Sequence, residues 1–228
     1  MAYPATFDVQ PPKEFDKSQV VLRIVLIIVI SWLLDAIAGF AYIALPVIAA
    51  VRISQKGPKQ YLADAEAGPT KWLRYIMAIY SYMALTTDRM PTQEPEKIVQ
   101  FDVRPTGSPT IGSALLRIIL GIPHAIVLGL LGLILAIVWL IAAVSILFSG
   151  TYPEWASSFI RGYLRWTARF MAYMASLVDE YPPFSFQNGE PTAAPPAQPA
   201  ASEPPTKPSA AGATSSGQGD TPPTEPSA

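Results

Sequence analysis

The sequence predicts an all-α membrane protein of two tandem units. Each unit reads as a long transmembrane helix followed by an amphipathic helix at the membrane interface, and a disordered proline-rich tail closes the chain. Three observations carry this reading. Half of the 228 residues are apolar and only 14% are charged. The apolar residues gather in two runs that exceed the roughly 20 residues needed to cross a bilayer. A set of short motifs then recurs, in order, after each run.

The first run, residues 20–51, is broken by Arg23 and Asp35; the second, residues 114–148, is broken by Arg117 and His124. In the second run Pro123 predicts a kink, because proline lacks the amide donor and clashes with the preceding turn. The preferred reading is a short entry segment over 113–122 and a span from Pro123 to Phe148; a tight re-entrant hairpin is the alternative. A cleaved secretory signal is the competing reading of the first run. Lys13, Lys17 and Arg23 would supply its basic region and Ala36-Ile37-Ala38 its cleavage site. The apolar run continues to Val51, and Asp35 would precede that site, so a retained segment is the better fit.

The recurring motifs set the unit boundaries. Leu22-Arg23-Ile24 is answered by Leu116-Arg117-Ile118, and Leu73-Arg74-Tyr75 by Leu164-Arg165-Trp166. Tyr82-Met83-Ala84 is answered by Tyr173-Met174-Ala175, Asp88 by Asp179 and Pro91 by Pro182. The expected organisation is an N-terminal segment 1–19, a first unit 20–92, a linker 93–114, a second unit 115–186 and a tail 187–228. The tail is almost entirely Pro, Ala, Ser, Thr, Gly, Glu and Gln, which cannot bury a core.

Ser149-Gly150-Thr151-Tyr152-Pro153 ends the second apolar helix. In the segment that follows, Trp155, Phe159, Tyr163, Trp166, Phe170 and Tyr173 recur at helical spacing. Arg161, Arg165 and Arg169 lie four apart on the other face. Three arginines in hydrocarbon would cost roughly 2.5–3.5 kcal/mol each, so an interfacial helix is expected, with Trp155 and Trp166 at headgroup depth and the arginines meeting anionic lipid or an acidic partner. Lys71, Trp72 and Arg74 open a weaker version in the first unit.

Residues 115–117, 121–124, 147–153, 164–166, 172–173 and 179–185 carry the motifs Leu-Leu-Arg, Gly-Ile-Pro-His, Leu-Phe-Ser-Gly-Thr-Tyr-Pro, Leu-Arg-Trp, Ala-Tyr and Asp-Glu-Tyr-Pro-Pro-Phe-Ser. On these the second unit resembles the bacterial membrane-protein domain of unknown function numbered 4389. The first unit resembles a diverged copy without the Ile-Pro-His element or the Tyr-Pro-Pro-Phe-Ser end. The resemblance implies a bacterial membrane protein and brings no activity.

The composition excludes several chemistries. There is no cysteine, so disulfides and thiolate sites are out, and one histidine leaves no multi-histidine metal site. A net charge of −1 gives no basic footprint for nucleic acid. No nucleophile–base order, phosphate-cradling loop or helical metal pair is present, so no catalytic, cofactor-binding or metal residue is assigned and no cofactor is expected. The intramembrane polar residues Asp35 and His124 are the candidates for proton or ion handling, with His124 or Arg117 as a structural partner for Asp35. Asp88 and Asp179 end helices, where a carboxylate opposes the dipole, so a nearby arginine or backbone amides should offset each.

The expected function is a non-enzymatic scaffold or accessory subunit of the bacterial inner (plasma) membrane. It would be multi-pass, with cytoplasmic termini, and would bind lipid and a membrane-protein partner or further copies of itself. The alternative is a small oligomeric transporter or channel using Asp35 and His124.

Overall fold

The computed structural model describes residues 3–12, 14–91 and 94–188. All lie in the first of the chain's two units, Met1–Ala193. The tail from residue 189 onward is outside the described residues. The elements run β1 (Ala5–Asp8), α1 (Lys17–Lys56), α2 (Pro58–Ala63), a π turn (Glu66–Thr70), α3 (Lys71–Met83), a 3-10 turn (Pro95–Lys97), β2 (Gln100–Val103), α4 (Ile111–Leu120), α5 (Ile122–Ser149) and α6 (Glu154–Met174).

Local chemistry explains most boundaries. Asp16 caps α1 by accepting from the Ser18 amide at 2.9 Å. Thr110 and Ser113 form a capping box at the start of α4. The second apolar run divides at Gly121, and Pro123 sits in the first turn of α5, where its missing donor is harmless. The expected entry segment and span are therefore α4 and α5. Gly150, at φ 72°, closes α5 in the left-handed region. Among the described residues two helices are long and apolar enough to cross a membrane: Ala38–Lys56, with mean hydropathy 1.4, and Ile122–Ser149, with 2.9.

The helices form two layers under a small ribbon. α1 packs against α4 and α5; α6 packs against α5 on one side, β1 on another, and α3 beside it. β1 and β2 pair antiparallel, Phe7 opposite Phe101 and Asp8 opposite Gln100. Phe7, Val9, Phe101 and Val103 are buried, while Asp102 and Gln100 face out.

Two expectations are corrected. The chain is mostly helical but not all-α, and β1 and β2 lie in stretches read as N-terminal segment and linker. Four-residue strands give too short an alternation to register against the helical pattern. The amphipathic segment after the second apolar run, α6, is also no surface helix. Thirteen of its residues, from Ala156 to Met174, are buried, Trp166 and Arg169 among them. Its basic face is covered by β1 and by the segment after residue 180. Gln187 and Asn188, assigned to the tail, belong to this cover: Asn188 exchanges two hydrogen bonds with the Phe7 backbone.

Gly107 joins this framework to the end of α6. Its φ is 76°, and an added Cβ would overlap the Asp179 carboxylate. Beside it the Thr106 amide donates to Leu177 O at 3.0 Å, and the Asp179 amide donates to Thr106 Oγ1 at 3.0 Å. Gly107→Ala is expected to lower stability by about 1–3 kcal/mol, through overpacking and a strained φ. Thermal unfolding of the purified protein measures it; an unchanged midpoint would show that this corner gives way freely.

Candidate functional site

Each apolar run carries one arginine near its start, Arg23 and Arg117, and the chain builds the same lock around both. Arg117, on α4, is 3% exposed. Its Nη2 donates to Asp179 Oδ1 at 2.5 Å. Its Nη1 donates to the carbonyls of Tyr173 and Val178, both at 2.5 Å. Its guanidinium lies over the Tyr173 ring, 4.4 Å from the centroid. Arg23, on α1, is fully buried, donates to Asp88 Oδ1 at 2.8 Å and lies 4.0 Å from the Tyr82 ring centroid. The arginine expected to compensate each terminal aspartate is thus present, Arg23 for Asp88 and Arg117 for Asp179.

The helix ends that receive these arginines are alike. After α3, the Leu85 amide donates to Tyr82 O and the Thr86 amide to Ser81 O. After α6, the Ser176 amide donates to Tyr173 O and the Leu177 amide to Ala172 O. Both are Schellman ends with a non-glycine residue in the left-handed region, Leu85 at φ 61° and Ser176 at φ 55°. Each such residue costs roughly 1–2 kcal/mol, and burial of the following turn holds it there: Leu85, Thr86, Leu177 and Val178 are all buried.

The two ends are also tied crosswise. The Tyr61 hydroxyl donates to Ala175 O at 2.5 Å, and the Tyr152 hydroxyl donates to Ala84 O at 3.3 Å. Trp139 Nε1 adds a bond to Met83 O at 2.8 Å. Burial pushes the Tyr61 hydroxyl up to about 12 and raises that of Tyr152 as well.

The locks differ in completeness. Arg23 leaves Nε and Nη1 without a partner among the described residues. Asp88 meanwhile accepts the Asp16 amide at 3.0 Å, which fastens it to the start of α1.

His124 is fully buried in an aromatic cage: Phe184 stacks on it at 4.0 Å, with Tyr181 at 4.8 Å and Phe170 at 5.4 Å. Trp166 Nε1 donates to His124 Nδ1 at 3.1 Å, which assigns the ring proton to Nε2. The histidine fastens the 181–186 segment to α5 and α6. The Asp35 side chain lies outside the described residues.

The arginine stripe turns inward. Arg169 is fully buried and donates to Ser185 O and Gln187 O; burial draws it down to about 10, still charged at neutral pH. Arg165 pairs with Asp8 at 2.6 Å and Arg161 with Glu154 at 3.3 Å. Trp155 is exposed and Trp166 buried. The missed contributors were Tyr61, Tyr152 and the Phe-Asp-Val ribbon. A signal for the ribbon was available: Phe7-Asp8-Val9 with Pro11 recurs 94 residues later as Phe101-Asp102-Val103 with Pro105, the spacing that also separates Arg23 from Arg117.

Two outcomes follow from this geometry. Arg117→Met strands two buried carbonyls and the half-exposed Asp179 and should cost about 2–4 kcal/mol, mostly from the carbonyls left without a donor; Arg23→Met, with one bonded nitrogen, should cost about 1–3 kcal/mol. Chemical unfolding of both variants in detergent measures this, and equal costs would refute the ranking. The raised Tyr61 hydroxyl must stay protonated in the fold, so its contribution is complete below its ordinary value near 10. That contribution is lost as pH rises from there toward about 12. Tyr61→Phe should flatten the fall in melting temperature across that window.

No curated protein and no solved structure matches the chain. Residues 112–185, from the start of α4 to the segment that cages His124, match the family described as a domain of unknown function, DUF4389, and carry that domain.

Proposed function

We propose that this chain is a non-enzymatic scaffold or accessory protein of the bacterial plasma membrane, formed by tandem duplication of one unit. The observation that carries the membrane role is the outward face of its two long helices. Ile28, Trp32 and Phe40 on α1 are 69–74% exposed, and Leu133 and Phe148 on α5 are 68% and 85% exposed. Such a continuous apolar face has no favourable contact with water. The arginines inside the apolar runs close on the chain's own groups, Arg23 on a carboxylate and Arg117 on a carboxylate and two carbonyls, which favours a structural over a catalytic use of them. Duplication is supported by the twice-built arginine lock, the paired Schellman ends and the 94-residue recurrence of the ribbon motif.

Its partners would be membrane lipid and either a membrane protein or a second copy, and neither nucleic acid nor a cofactor enters. The transporter reading needs His124 on a path for ions, and its burial among four rings works against that.

Fractionation tests the proposal. The protein should stay with membranes through high-salt and carbonate washes and leave only in detergent, bringing a second membrane protein with it, and Asp35→Asn with His124→Ala should leave that complex intact. A bare homo-oligomer whose ion flux is abolished by the same pair would establish the channel instead.

A further inference from the structure

Two dimensions of the fold bear on how it meets the bilayer, given the membrane reading above. The first is length. On α4 and α5 the exposed apolar face extends from Ile111 to Phe148, both exposed. At 1.5 Å per residue that is roughly 57 Å of helix, about twice the hydrocarbon thickness of roughly 30 Å. On α1 it extends from Val21 to Val51, again exposed at both ends, or roughly 46 Å.

The second is the place of the ribbon. Arg165, at the middle of α6, holds Asp8 of β1 on one face of that helix. Tyr163, on the opposite face, reaches the Leu128 carbonyl near the middle of the α4–α5 run at 3.4 Å. The ribbon therefore sits over the mid-length of the long helices, separated from them by α6. Its outer surface is polar: the side chains of Asp102 and Arg104 are 67% and 85% exposed, and Gln100 is exposed. Were α1 and α5 aligned with the membrane normal, these groups would sit level with the bilayer centre, where charge is strongly disfavoured.

We infer that α1 and the α4–α5 run lie along one leaflet rather than across the bilayer, their outward apolar faces in the acyl chains and the ribbon in water. This orientation satisfies both dimensions. The apolar length no longer has to match a thickness, and every exposed charge of the ribbon is solvated. The helix ends then lie on the same side of the membrane. Phe15 meets Tyr152 at one end of the long helices (rings 5.4 Å apart), and Tyr61 meets Ala175 at the other.

The chain contains no cysteine, so single cysteines report without interference. Glu14→Cys marks the first end, Lys59→Cys the second and Asp102→Cys the ribbon; all three positions are exposed. A membrane-impermeant maleimide applied to spheroplasts and to inverted vesicles should label all three in one preparation, at least tenfold over the other. Labelling of Glu14→Cys and Lys59→Cys from opposite sides would overturn the inference while leaving the membrane reading intact. Recovery of the protein in the soluble fraction without detergent would overturn both. A nitroxide on Leu133→Cys checks the apolar face: collision with oxygen but not with a water-soluble nickel chelate is expected, and shielding from both would assign that face to a second copy and overturn the lipid contact.

Discussion

An arginine in an apolar helix is tolerable only if its charge and its donors are met on the spot, and this requirement organises the fold. Arg117 is held by a carboxylate, two carbonyls and a tyrosine face, all supplied by the last turn of α6 and the corner behind it. That set of partners exists only if α6 ends in a left-handed residue and the chain doubles back toward α4. The lock therefore dictates a local conformation that its sequence would not choose, since Ser176 and Leu85 lack the freedom of glycine. With one end of α6 fixed by Arg117 and the other tied to α5 through the 150–153 turn, α6 is committed to the interior. Its own Arg165 and Arg169 must then be satisfied there, by Asp8 and by the carbonyls of Ser185 and Gln187.

The helices and the recurrence were legible in the sequence for a simple reason. Apolar runs of this length, helix-ending Gly150 and Pro153, and Arg, Tyr and Asp at matched spacing are local or periodic signals. The division at Gly121-Ile122-Pro123 was legible for the same reason. The destination of each charged side chain was not. Arg161, Arg165 and Arg169 at four-residue spacing describe a stripe, and a stripe says nothing about what covers it. The cover comes from β1, far away along the chain, and from residues 181–188, which are too irregular to announce themselves. The cage around His124 was illegible for a related reason, since Tyr181 and Phe184 reach it only by the return of the chain after α6.

This inward use of charge leaves the exterior strongly divided. Buried Arg23 and Arg117 are met by carboxylates and buried Arg169 by backbone carbonyls, the ribbon presents acids and an arginine to solvent, and the long helices present an apolar outward face. A fold arranged in this way separates its two solvents by face. The α3–α6 layer insulates one from the other, and the crosswise Tyr61 and Tyr152 bonds keep the two helix ends in step across it. A scaffold held at a membrane needs this property more than it needs a pocket. A cleft between α1 and α4, lined by Val47, Ala50, Val51, Ile111 and Leu115, is open and mostly apolar.

The account stands on the coupling between Arg117 and Asp179, and a double-mutant cycle measures it directly. Unfolding free energies of the parent chain, Arg117→Met, Asp179→Asn and the double variant give the pairwise energy without the other contacts of either residue. A coupling of at least about 1.5 kcal/mol is predicted, within the range seen for residues in one hydrogen-bonded network. Strictly additive effects would mean that the arginine is held by its carbonyls and ring alone, and would contradict the lock as the origin of the fold's closure.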